Sequence, residues 1–146
     1  MRRVLYCLDT YPLTETWKLY LHLALPYPPS LNRYYRKYRN RLIVSEEGRR
    51  FQKAVAQLVG PRPQTLVDKL RLDLWVHPPD ARVRDLDNVL KAVQDSLQYA
   101  GVYLDDGQID ELHVRRGAKD KAEPRVELIL SIMDSADQAA LSALIM

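Results

Sequence analysis

Asp85 and Asp87 stand two residues apart in the stretch Arg84-Asp85-Leu86-Asp87-Asn88-Val89-Leu90-Lys91, at the expected start of a helix, with Lys91 one turn beyond the second acid. Further along the chain comes Asp105-Asp106-Gly107. Carboxylate oxygens are hard ligands of the kind that Mg²⁺ or Mn²⁺ takes. Set beside arginine and lysine, they suggest a metal site built to act on an anion, and a phosphodiester backbone is the leading candidate. Each acid also has an ordinary role. Asp85 suits an N-cap and Asp87 a first-turn acid on the helix dipole. Asp87 and Lys91 suit a surface ion pair of about 0.3–0.5 kcal/mol, with Asp95 continuing the same face. Asp105-Asp106-Gly107 suits a turn. Taken singly, the ordinary roles are the stronger reading. Two acidic groups joined by one short unit favour a site.

The geometry sets a condition on that site. A helix from Asp85 to about Ala100 would be ~24 Å long. Asp105 and Asp106 return to Asp85 only if the chain after Gly101 folds back along the helix. Otherwise the clusters lie apart or meet across a dimer interface.

A second chemical feature lies upstream. The stretch from Ser30 to Arg41 reads as a loop carrying Arg33, Arg36, Lys37, Arg39 and Arg41, with Tyr34, Tyr35 and Tyr38 between them and no acid before Val44. Arginine offers bidentate phosphate contacts, and tyrosine can stack on unpaired bases. A charge run is most often a solvated face, but the interleaved aromatics favour nucleic acid. Arg49, Arg50 and Lys53, with Arg82 and Arg84 beside the acids, extend the positive surface. His22, His77 and His113 lack ligand spacing and read as strand-face residues. Cys7 has no nucleophile context, and there is no glycine-rich phosphate loop or serine elbow.

The elements that must hold these residues follow from periodicity. Trp17, Leu19, Leu21, Leu23 and Leu25 alternate with polar residues, which predicts a half-buried strand ended by Pro26, Pro28 and Pro29. Leu42-Ile43-Val44 predicts a short strand. Ser45 is the expected N-cap of a helix with Glu46 and Glu47 in its first turn, an apolar stripe of Phe51, Val55, Leu58 and Val59, and Pro61 at its end. Leu70, Leu72, Leu74 and Val76 predict a second strand. Leu86, Val89, Leu90, Val93 and Leu97 predict the helix Asp85 to Ala100, closed by Gly101. Strands follow around Leu112 and Val114 and from Val126 to Ile132, then a short helix over 135–146. This order predicts an α+β (mixed α/β) fold with a mixed β-sheet and two main helices. The unit from Leu70 to Val114 would be a crossover.

Bulk composition is consistent with one small domain over 1–146, with a core of about 17–133, an N-terminal extension 1–16 and a C-terminal tail 134–146. Apolar content of 47% suffices for a core. The net charge of +3 hides local segregation of the charged residues. A single cysteine excludes an internal disulfide and fits a reducing cytoplasm. No apolar run approaches a membrane span, and no leader pattern follows Arg2 and Arg3. A cytoplasmic protein with no membrane partner is expected.

Four blocks occur in order: Pro28-Pro29-Ser30-Leu31-Asn32-Arg33-Tyr34-Tyr35-Arg36, Val44-Ser45-Glu46-Glu47-Gly48, Arg84-Asp85-Leu86-Asp87-Asn88-Val89-Leu90-Lys91 and Leu104-Asp105-Asp106-Gly107-Gln108-Ile109. Together they resemble the RusA family of Holliday-junction resolvases, over about residues 19 to 133. The resemblance implies a homodimeric endonuclease that depends on Mg²⁺, with Mn²⁺ a plausible substitute. Such an enzyme nicks four-way DNA junctions symmetrically. It implies metal-binding catalytic acids at Asp85, Asp87 and Asp106, with Lys91 completing the catalytic set. The resemblance makes Asn88 a supporting residue, and the expected DNA contacts, led by the basic run, are Asn32, Arg33, Tyr35, Arg36, Lys37, Arg39, Arg84 and Asn88. This chain departs from the family at its two ends and at Gly117 to Glu123, where Lys119 and Lys121 mix with Asp120 and Glu123. Two rival readings are a branched-DNA or single-stranded-DNA binding protein that does not cut, and a protein whose acids are only caps and turns. Val126 to Met133 and Ala139 to Met146 are candidate dimer surfaces or core.

Overall fold

The computed structural model describes residues 17–133. The segments 1–16 and 134–146, including the helix expected over 135–146, lie outside the described residues. Strand β1 (Trp17–Pro26) pairs antiparallel with β6 (Arg125–Met133), so that Leu21, Leu23 and Leu25 face Leu130, Leu128 and Val126. The alternation does not run the whole strand. The register shifts between Leu19 and Leu21, which leaves Leu19 opposite Ser131 and 46% exposed. Trp17 and Leu19 therefore do not share a face with Leu21, Leu23 and Leu25, because one inserted residue turns the strand over.

β4 (Leu70–His77) lies between β6 and β5 (Ile109–Arg116), and the sheet order is β1-β6-β4-β5. β4 runs antiparallel to β6 and parallel to β5. As the second strand from one edge, β6 has its Val126, Leu128 and Leu130 fully inside the core rather than at a dimer surface. Leu70, Leu72 and Leu74 are wholly buried on the helix side of β4, each contributing about 1.5–3 kcal/mol. The opposite face of β4 is buried too. There Arg71 pairs with Asp73 at 3.0 Å, and on β6 Arg125 pairs with Glu127 at 2.8 Å.

A parallel neighbour requires a crossover. It consists of a 3₁₀ turn Leu86–Val89, helix α3 (Leu90–Tyr99) and a second 3₁₀ turn Asp106–Gln108. The single helix expected over Asp85 to Ala100 is thus a 3₁₀ turn leading into an α-helix. Gly101 sits at φ +78, the left-handed cap position. α3 packs Ala92, Val93 and Leu97 against Phe51, Val55 and Val59 of α2 (Glu46–Val59). Ser45 caps α2 as expected, its Oγ accepting from the Gly48 N–H at 3.0 Å.

The stretch read as a loop is structured. A single helical turn α1 (Leu31–Tyr34) runs into a hairpin, β2 (Tyr35–Tyr38) and β3 (Arg41–Val44). Arg39 and Asn40 at its tip both have positive φ, 45 and 60, the twist that matches two-residue hairpins. No glycine marks the turn, and the paired strands are charged on their outer faces, so periodicity did not show it. Among the described residues no helix is long and apolar enough to cross a membrane.

Gly48 is what lets α2 dock on this unit. A Cβ there would lie 2.7 Å from the Tyr34 carbonyl oxygen and 2.7 Å from Val44 Cγ1. A Gly48→Ala change gains about 1 kcal/mol of helix propensity. The overpacking costs up to about 3 kcal/mol and dominates, because one of the opposing atoms is backbone. Thermal denaturation should show a midpoint lower by a few degrees; an unchanged or higher midpoint would contradict this packing.

Candidate functional site

The 3₁₀ turn presents its acids outward. Asp85 is its N-cap, yet the Asp85 side chain makes no capping bond; only its carbonyl accepts, from the Asn88 N–H at 3.3 Å. Asp85 and Asp87 are exposed, and Asn88 is half-buried between Asp87 and the core residue Val89. A cap role therefore does not occupy the Asp85 carboxylate.

Lys91 does not pair with Asp87. Its Nζ lies 2.9 Å from Asp95 Oδ1 and 3.7 Å from Asp106 Oδ2. The second contact meets the condition that the sequence left open, since the chain after Gly101 does fold back along α3. The Lys91 pKa is raised, chiefly by the hydrogen bond that its ammonium donates to Asp95, which outweighs the opposing effect of burial, and then by Asp95, Tyr35 and Asp106 acting through charge. Its ammonium is firmly charged.

The two neighbouring acids have different jobs. Asp105 caps the second 3₁₀ turn: its carboxylate accepts from the Gly107 N–H at 3.2 Å, and that bond holds its pKa low. The turn reading of Asp105-Asp106-Gly107 thus holds for Asp105, while half-buried Asp106 faces Lys91. Gln108 fastens the turn. Its Oε1 accepts from the Leu104 and Asp105 N–H groups at 3.0 and 2.9 Å, and its Nε2 donates to the Leu66 and Asp68 carbonyls at 3.0 and 2.9 Å.

The hairpin stands beside this cluster. Tyr35 O–H donates to Asp95 Oδ2 at 2.9 Å. Burial and that bond push its pKa to about 12. Arg36, Lys37 and Arg39 are exposed, with the guanidinium groups of Arg36 and Arg39 at 5.5 and 5.3 Å from the Tyr38 ring. Asn32 is exposed, and exposed Arg33 bonds Glu47 at 3.2 Å. Tyr34 is not available for stacking on a base: it is fully buried, and its hydroxyl accepts from Gln52 at 2.7 Å.

Arg84 is also engaged. Its Nη1 donates to Asp80 Oδ1 at 2.6 Å, which holds Asp80 to about 2, so the tie survives mild acid. Arg82, Arg116 and Lys119 complete a basic rim around a cavity of about 350 Å³ next to the acids. Asp120 does not counter that rim. Its carboxylate is taken by Arg125 at 2.9 Å and by the Glu123 N–H at 3.0 Å.

The carboxylates suit a divalent ion by chemistry. They are not drawn into a closed cage: among the described residues no group of His, Cys, Asp or Glu side chains is gathered to hold a cation. Mg²⁺ does not need such a cage, because it commonly takes one or two carboxylates and completes its shell with water and substrate phosphate.

The profile of the family described as "Endodeoxyribonuclease RusA" matches residues 26–131. The chain belongs to the RusA family. The matched span holds the hairpin, both acidic turns, Lys91 and Gln108. The chain is 43% identical over 98 residues to the crossover junction endodeoxyribonuclease rusA of Enterobacteria phage HK97, covering 66% of this chain and 82% of that one. It is 39% identical over 114 residues to the protein of the same name from Enterobacteria phage 82, with 77% and 94% covered. The crossover junction endodeoxyribonuclease RusA of Escherichia coli (strain K12) is 39% identical over 116 residues, with 76% and 93% covered. The sequence reading names Asp85, Asp87, Lys91 and Asp106 as candidates but does not single out Asp95 as the partner of Lys91, nor the four-bond anchor at Gln108. An i,i+4 spacing for the first and the Asp-Asp-X-Gln block for the second were the available signals.

Proposed function

We propose that this chain is a Holliday-junction resolvase: a divalent-metal-dependent endodeoxyribonuclease that binds four-way DNA junctions and nicks two strands symmetrically. The observation that carries this reading is the return of Asp106 to Lys91, one turn from Asp87, beside a hairpin of exposed Arg36, Lys37 and Arg39. Asp85, Asp87 and Asp106 would hold Mg²⁺ or Mn²⁺, which supplies a more acidic water and charge neutralisation at the scissile phosphate. Lys91 adds a fixed positive charge where the phosphate gains negative charge in the transition state. Arg36, Lys37 and Arg39 bind backbone phosphate, with Arg33, Arg84, Asn32 and Asn88 flanking. Recognition rests on the shape of the junction more than on base edges. Paired nicks need two copies of the site, and a two-fold homodimer of about 34 kDa, twice the 17.0 kDa chain, provides them.

A synthetic four-way junction tests the reading directly. With Mg²⁺ it should be cut into paired nicked duplexes; with chelator it should be bound and left whole. Binding without cutting in Mg²⁺ would favour a junction-binding protein instead.

The hairpin carries its own expectation. Each phosphate contact on duplex DNA contributes about −0.9 to the slope of log affinity against log salt. Arg36→Ala or Arg39→Ala should flatten the slope by about one unit. Arg33→Ala should flatten it less, because Glu47 already engages that guanidinium. Titrating junction binding across salt concentrations checks this, and a slope unchanged in all three variants would turn the hairpin away from DNA.

A further inference from the structure

We infer that Asp95 is the positioning residue of this site, holding Lys91 beside Asp106 and linking it through Tyr35 to the hairpin that meets substrate; the inference rests on the resolvase reading above. A lysine on a helix has a long flexible stem and a strongly hydrated head. Left alone, the Lys91 ammonium would sample water. Here it has a 2.9 Å partner in Asp95 and touches Asp106 at 3.7 Å. Asp95 is less exposed than the lysine it holds, at 21% against 43% of the side chain. An ordinary exposed i,i+4 pair is loose. This one is braced from outside the helix, because Tyr35 donates to the other oxygen at 2.9 Å.

Both Asp95 oxygens are therefore committed, one to Lys91 and one to Tyr35. That separates Asp95 from Asp85, whose carboxylate makes no capping bond. Asp95 acts on the reaction through Lys91. Tyr35 extends the chain to the substrate side. Its ring lines an open cavity of about 530 Å³ together with Leu31, Asn32, Arg36, Lys37 and Leu42. Its hydroxyl remains a donor across the neutral range. A strand seated on the hairpin thus presses on a residue that is linked through Asp95 and Lys91 to Asp106. The chain Tyr35–Asp95–Lys91–Asp106 should affect the rate of cutting and not the affinity.

The test is a double-mutant cycle on the full chain. Single-turnover cutting of a synthetic junction is measured with protein in excess, and junction affinity is measured separately in chelator. Asp95→Asn should slow cutting about 10- to 100-fold, the usual range for partners of site residues. Affinity should stay within about twofold, the scatter expected when no DNA contact is lost. Tyr35→Phe should slow cutting by a smaller factor. In a Lys91→Ala background neither change should slow it further, because both act through Lys91. Losses that multiply in that background would overturn the inference, as would an Asp95→Asn protein that cuts at the wild-type rate. If Asp95→Asn does not fold, Tyr35→Phe deletes one hydroxyl and completes the cycle alone. A readout without substrate is the Lys91 side-chain ammonium resonance. It should be protected from exchange in the wild type and lost in Asp95→Asn or, more weakly, in Tyr35→Phe; persistence in both would overturn the inference. A wild type that fails to cut in Mg²⁺ would sink the resolvase reading, whereas equal cutting by wild type and variant would sink only the role of Asp95.

Discussion

Replacing Asp87 by Asn should reduce junction cutting in Mg²⁺ roughly a hundredfold or more while leaving junction binding intact or tighter. The substitution keeps size and removes the anionic oxygen. Asp87 is exposed, and Lys91 is engaged with Asp95 and Asp106 instead, so the fold loses no ion pair between Asp87 and Lys91. The same charge removal relieves repulsion of phosphate, which is why affinity should hold or rise. Asp85→Asn should behave alike, since its side chain makes no capping bond whose loss could unfold the turn. Asp106→Asn should also abolish cutting, but it weakens a contact to Lys91 as well. Lys91→Ala should lower the rate by roughly a hundredfold with a much smaller effect on affinity. Single-turnover rates beside chelator binding curves decide each case. An Asp87→Asn protein that cuts at the wild-type rate would remove Asp87 from the metal site. A Lys91→Ala protein that loses only affinity would make Lys91 a docking residue.

The pairing of the two acidic turns was legible because acids at the start of a helix and acids after it sit in one short crossover. The elements were legible where one face is apolar, as at Leu70, Leu72, Leu74 and Val76 or at Phe51, Val55 and Val59. What escaped had a physical reason in each place. One inserted residue near Tyr20 turns β1 over, and a bulge leaves no compositional mark when its neighbours are Leu and Tyr. The hairpin tip uses Arg39 and Asn40 in positive φ rather than glycine. Tyr34 looked like one more aromatic in a basic run, but the turn of α1 points it into the core and leaves Tyr35 half-exposed. The sequence offered Lys91 a partner at Asp87 and another at Asp95, both at i±4. Tertiary structure chose Asp95 because Tyr35 braces it there and Asp106 lies on the same side. Three-dimensional return of the chain, which one-dimensional spacing cannot give, is what brings Asp106 to Lys91.

Gln108→Glu should damage both the fold and the cutting rate. The side chain keeps its shape, so no cavity is made. Two donors disappear, and the Leu66 and Asp68 carbonyls, at 3.0 and 2.9 Å from Nε2, then face an anionic oxygen. An unmet buried acceptor costs about 1–3 kcal/mol, and these two are partly buried, so together they cost roughly 2–4 kcal/mol, below the full sum of about 2–6, before any repulsion. The new charge also sits beside Asp105, whose N–H bonds the same side chain. The turn that delivers Asp106 to Lys91 should loosen, and cutting should fall about 10- to 100-fold, as for other second-tier supports of a metal site. The effect has a pH sign. A protonated carboxyl can still donate to one carbonyl, so the folded state favours the neutral form and raises the pKa of the new group. Stability is therefore best retained below the unfolded glutamate value and is lost as pH rises through the folded one. Thermal midpoints should fall further behind the wild type at about pH 8 than at about pH 5. Gln108→Ala, which removes all four bonds and adds no charge, should show a deficit that does not change between those conditions. Equal midpoints for Gln108→Glu and the wild type at both would mean that the acidic turn is held by backbone alone.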